Sequence, residues 1–217
     1  MCLIKFGKEE HLKKIQDGKL RFSQLAYYRT FEDKDSNVKN AIGDNFEGVE
    51  YYTENNDNIK ICFRHPSINN GKTVNITSGI QSFAAFPNTN RYKSCFSYFT
   101  EDDVINHTIF DDKILENSEW DFVLFIPDAN AFLQNLKKAC SNMQFRAGIV
   151  RYEDFSNGIS NGDEFIKSKA YEYQKEFCIS IVPPSTNDKF ITISFEKVQS
   201  FIVPAKDFRE SFIVEYN

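Results

Sequence analysis

Trp120-Asp121-Phe122-Val123-Leu124-Phe125-Ile126, running straight into Pro127-Asp128, decides how this chain folds. It is an apolar run of strand length, and proline in the first turn after it opens a helix that extends to about Ser141. Ala131, Phe132, Leu133, Leu136 and Ala139 then supply one apolar side of that helix. A buried strand feeding an amphipathic helix predicts a sheet covered by helices, and the rest of the chain can be read outward from it.

Towards the N-terminus, Leu3 to Phe6 reads as a short strand. Lys8 to Asp17 reads as a helix with Leu12 and Ile15 on one face, stopped by Gly18 where a left-handed cap is wanted. Lys19 to Phe22 alternates as a second strand, and Ser23 caps a helix or turn carrying Leu25, Ala26, Tyr27 and Tyr28. Gly48 to Thr53, Ile59 to Arg64, Thr73 to Phe86 and Ser94 to Thr100 are strand-like. Turn clusters such as Glu54-Asn55-Asn56-Asp57-Asn58 and Asn69-Asn70-Gly71 separate them. Beyond the opening stretch, Ala147 to Tyr152 predicts a strand and Gly162-Asp163 the start of a helix to about Gln174. Phe177 to Val182, Phe190 to Phe195 and Val198 to Val203 predict three further strands. The expectation is an α+β fold: a single domain over residues 1–217, a curved or split, mainly antiparallel sheet and three to five packed helices.

Composition agrees. Twenty-two Phe and 10 Tyr against one Trp and two Met favour a sheet as the main scaffold. A net charge of −5 and a pI near 5.3 argue against a surface that tracks phosphates throughout, so nucleic acid is not indicated as a partner by charge. The five cysteines lack CxxC spacing, and the three histidines have no cysteine at zinc spacing. Free thiols, a reducing cytoplasmic location and no structural metal are expected. No signal-peptide run or membrane span is legible, and an acidic, aromatic-rich surface is compatible with a homodimer.

Two regions concentrate candidate chemistry. Tyr28-Arg29-Thr30-Phe31-Glu32-Asp33 and Ile42-Gly43-Asp44-Asn45-Phe46-Glu47-Gly48 pack charges and glycines between aromatic residues. If they converge with the segment ending at Glu176, then Tyr28, Arg29, Glu32, Asp44, Glu47, Lys167 and Glu176 form a mixed-charge cleft for a polar or phosphorylated small ligand. The alternative is that Arg29 pins a long loop through Glu32 or Asp44. Asp33, Asp35, Asn37 and Asp44 sit at calcium-loop offsets, but Val38 stands where that loop needs glycine. Cys2 would become an N-terminal nucleophile if Met1 were removed, although the glycine-rich elements of such enzymes are missing.

Tyr171-Glu172-Tyr173-Gln174-Lys175-Glu176, leading into Phe177-Cys178-Ile179-Ser180-Ile181-Val182-Pro183, resembles the catalytic corner of clostridial exoenzyme-type ADP-ribosyltransferases. The resemblance implies NAD as cofactor. It also implies Glu176 as the carboxylate that stabilises an oxocarbenium-like transition state, and Gln174 as the residue that selects the acceptor. Arg21 on the second strand and Ser97 on the middle strand would flank the nicotinamide. That strand reads Phe-Ser-Tyr-Phe-Thr where the family has Ser-Thr-Ser. The other reading of the corner is a helix-to-strand junction with solvated Gln174 and Glu176.

A broader outline resembles a group of bacterial and phage proteins of unknown function, some found near abortive-infection genes. It consists of Lys5-Phe6-Gly7, Gly18-Lys19-Leu20-Arg21-Phe22-Ser23, the two charged turns, Val150-Arg151-Tyr152-Glu153-Asp154 and Phe-x-Lys-x-x-x-Tyr-x-x-Gln-x-Glu. It implies a defence-related domain. The chain is then either an NAD-using transferase or a non-catalytic effector that binds a nucleotide, a nucleic acid or a host or phage protein.

Overall fold

The computed structural model describes residues 1–28, 50–53, 61–63, 74–76, 82–85, 90–106, 112–114, 120–154, 159–161, 163–186 and 188–208. In order, β1 (Cys2–Gly7), α1 (Glu9–Gln16), β2 (Lys19–Gln24) and α2 (Leu25–Tyr28) open the chain. Short strands β3 (Glu50–Thr53), β4 (Ile61–Phe63), β5 (Val74–Ile76) and β6 (Ser82–Ala85) precede β7 (Tyr92–Phe99) and α3 (Glu101–Ile105). Next come β8 (Phe122–Ile126), α4 (Ala129–Ala139), β9 (Gln144–Ile149), β10 (Arg151–Glu153), β11 (Ile159–Asn161) and β12 (Ile166–Ser168). Strands β13 (Glu176–Val182), β14 (Phe190–Ser194) and β15 (Phe201–Pro204) close the described chain. The fold is α+β, with four α-helices among the described residues and pairing that is antiparallel except between β10 and β12. No described helix is long and apolar enough to cross a membrane.

The main sheet runs β14-β2-β7-β1-β8-β15, with β13 on β7 and β9 beyond β13. Successive residues of β1 face opposite ways: Leu3 joins the core that holds Leu12, Phe132 and Leu136, whereas Ile4 joins Phe99, Val123 and Phe208 on the other side. Both faces are therefore covered, which explains why the stretch at Phe122–Ile126 reads as a continuous apolar run. Helix α4 starts two residues after the proline, because Asp128 caps it by accepting the Ala131 N–H at 2.9 Å. Helix α1 ends as expected: Gly18 has φ +75° and its carbonyl receives the Phe195 N–H at 2.8 Å.

The helix expected from residue 162 to 174 is not there. Ile166–Ser168 is a strand, and only Lys169–Gln174 is helical, as a 3-10 segment. Phe165, Ile166 and Lys167 are all buried in succession, a pattern one face of an α-helix cannot satisfy, and the Ser168 hydroxyl accepts the Ala170 N–H to begin the tighter turn.

One feature of the sheet creates its main concavity. Strand β7 pairs along Tyr92–Ser97 with β13 on one edge, so β1 and β2 share its other edge. β1 takes Ser97, Tyr98 and Phe99, while β2 takes Tyr92 and Lys93. Between them the edge forks. β1 continues alongside β8 and β2 alongside β14, which leaves a wedge roofed by α1.

Candidate functional site

The wedge is a cleft of about 260 Å³. Lys5, Phe6 and Gly7 line it from β1, Lys19, Leu20, Arg21 and Ser23 from β2, and His11, Leu12, Lys14 and Ile15 from α1; Ser94 and Thr192 complete it. No carboxylate lies in the lining, and no ion pair joins Lys5, Lys14, Lys19 or Arg21 to a carboxylate among the described residues. His11 faces Glu10 at 3.4 Å on the exposed side of α1.

Lys5 sits at the base of the fork. Its Nζ donates to the Cys95 carbonyl at 2.5 Å, an acceptor in the stretch of β7 edge that neither β1 nor β2 covers, and it lies 4.8 Å from the centre of the Phe96 ring. Burial pushes its pKa down to about 8, with Glu176 pulling upward and Arg21 pushing further down. Ser23 and Ser94 are 7% and 2% exposed, and neither hydroxyl hydrogen-bonds a described residue. Concentrated positive charge, two spare hydroxyls and an apolar floor are the chemistry of an anion site.

The Glu176 corner is built differently. Glu176 and Ser97 are register partners across β13 and β7. Yet Glu176 is only 8% exposed and its carboxylate meets the Lys167 ammonium at 2.7 Å. Its backbone N–H donates to the Tyr152 hydroxyl at 2.8 Å. Burial, and after it the Glu176 charge, raise the pKa of that hydroxyl well above its ordinary value. Gln174 is buried, and its Nε2 donates to the Tyr173 hydroxyl at 3.3 Å. Lys175 between them adopts φ 43°, ψ 60°, and its ammonium pairs with Asp103. The junction is real, but Gln174 and Glu176 are not solvated.

The structure therefore joins Lys167, Ser97 and Glu176 but places Arg21 elsewhere, on the cleft, with its guanidinium 4.5 Å from the Phe190 ring. Tyr28 closes α2, and its side chain lies outside the described residues, as do Arg29, Glu32, Asp44, Glu47 and the calcium-loop candidates. Free thiols throughout are corrected: Cys95 and Cys178, partners in register, form a disulfide. Their sulfurs lie within 4.8 Å of the Glu176 carboxylate, but the disulfide and Lys167 already engage all three groups. Burial raises the Cys2 thiol pKa, the opposite of an activated nucleophile, and pushes Cys140 up to about 11.

Sequence reading missed Lys5, Lys14 and Lys19. The available signals were one lysine inside the otherwise apolar Leu3-Ile4-Lys5-Phe6, and basic residues at alternate positions 19 and 21 of β2. No protein-family model, curated protein or solved structure matches the chain.

Proposed function

We propose that the protein is a non-catalytic binding module for a small phosphorylated ligand, seated in the cleft between β1, β2 and α1. The carrying observation is a set of cations, Lys5, Lys14, Lys19 and Arg21, around one cavity whose lining holds no carboxylate, in a chain whose net charge is −5. Like charges are not gathered this way without cost, and a bound anion removes that cost.

Calorimetry tests it, with ribose 5-phosphate and inorganic phosphate as probes. Lys5→Gln should lower affinity roughly 10- to 100-fold, the range for losing a hydrogen bond to a charged group. Wild-type affinity should fall as pH rises through about 8, because the ammonium that binds the anion is then lost. Binding that is indifferent to both changes would reject the cleft as the site.

The register of Ser97 against Glu176 favours a second reading, ADP-ribosyl transfer from NAD. In that reading the buried Lys167 must release Glu176 before the carboxylate can meet a ribosyl cation. Binding without chemistry predicts no nicotinamide release from NAD. Release by the wild type that disappears in Glu176→Gln would instead establish the transferase.

A further inference from the structure

The cleft is too small for a whole nucleotide. At about 260 Å³ it lies below the roughly 300–1,000 Å³ of pockets that enclose drug-sized ligands. It accommodates a phosphate and its sugar, and anything further must rest on what borders the mouth.

That border is an aromatic shelf. β14 pairs with β2 so that Phe190 opposes Ser23 and Thr192 opposes Arg21, which puts Arg21, Ser23, Phe190 and Thr192 on one face. The guanidinium of Arg21 lies over the Phe190 ring, and Tyr27 meets the same ring edge-on at 4.7 Å and 79°. Phe190 is thus braced from two sides. Arg21 is exposed, so a flat, delocalised cation backed by an aromatic ring presents its outer surface at the rim of a phosphate-sized cavity. Guanidinium planes of this kind are surfaces on which nucleobases stack. β14 is the outermost strand of the main sheet among the described residues, so no described strand covers the far side of the shelf.

We infer that the cleft is the phosphate and ribose half of a nucleoside monophosphate site, whose base stacks on Arg21 and the Phe190–Tyr27 pair. This rests on the phosphate-binding reading above. Ligands with the same phosphate and sugar, with and without a base, separate the two claims.

The experiment is calorimetric titration of the wild type, Phe190→Leu and Arg21→Lys with adenosine 5′-monophosphate and with ribose 5-phosphate. The wild type should bind the nucleotide at least about tenfold more tightly than the sugar phosphate, as expected for one stacked base. Both substitutions should shrink that ratio to about threefold or less, because leucine removes the aromatic backing and lysine the planar cation. Equal affinities for the two ligands in the wild type, or a ratio that survives both substitutions, would overturn the shelf while leaving the phosphate site standing. Failure of both ligands to bind would overturn the shelf and the phosphate site together. The wild-type ratio decides even if one variant does not fold.

Discussion

Replacing Lys167 with methionine is expected to destabilise the fold by about 3–5 kcal/mol, the usual loss when one partner of a buried ion pair is removed. Lys167 and Glu176 are 7% and 8% exposed and 2.7 Å apart, so the carboxylate left behind has no ready access to water. Desolvation is the dominant effect here, and the attraction between the two charges mainly offsets it. The double variant Lys167→Met, Glu176→Leu should therefore recover most of the loss, since it removes both charges. Urea unfolding of the two variants beside the wild type measures this directly. A single variant within about 1 kcal/mol of the wild type would mean that water reaches the pair. The result also bears on chemistry, because a carboxylate that strongly needs its lysine is poorly placed to serve a ribosyl cation.

Gly18→Ala should cost a comparable amount, about 2–5 kcal/mol, from two separate causes. A side chain at φ +75° is strained by about 1–2 kcal/mol. The added Cβ would also press into the Phe195 carbonyl oxygen, which is backbone and cannot swing aside, adding roughly 1–3 kcal/mol of overpacking. The same approach carries the 2.8 Å hydrogen bond from Phe195 N–H to the Gly18 carbonyl. Gly18 lies immediately before β2, where Lys19 pairs with Ser194 of β14, so it sets the wall of the cleft that carries Lys19 and Arg21. Denaturation should show the stability loss, and ligand titration should show weakened binding in the fraction that still folds. A loss below about 1 kcal/mol would mean that the end of β14 yields to the methyl group.

These two positions show how legible the chain is. Gly18 could be read locally, because a helix that loses its apolar spacing at a glycine needs no distant partner to be recognised. Lys167 and Glu176 can be grouped from the sequence as members of one charged cleft, but their buried ion pair cannot be read from it. The residues are nine apart in sequence, and what joins them is the 3-10 turn and left-handed Lys175 that intervene where a helix was expected. Arg21 is legible as a site residue, whereas its neighbours in the folded chain are not. The resemblance at Gln174 and Glu176 implies Ser97 beside it, whereas the strand order lines it up with Lys5, Lys19 and Ser23 along the cleft. Lys5 is one charge in a short apolar strand by sequence, and its role rests on the reach of its ammonium to the Cys95 carbonyl at the base of the fork.

The α+β class, the strand at Phe122–Ile126, helices α1 and α4 and the cap at Gly18 are legible in the residues themselves, because each rests on periodicity or backbone conformation within a few residues. That β1 and β2 share one edge of β7, that cations from β1, α1 and β2 surround a common cavity, and that Cys95 and Cys178 are bonded emerge only once the sheet is assembled. Those depend on which strands become neighbours, and neighbour choice is set by burying both faces of the sheet at once, a condition that no short stretch of the chain contains.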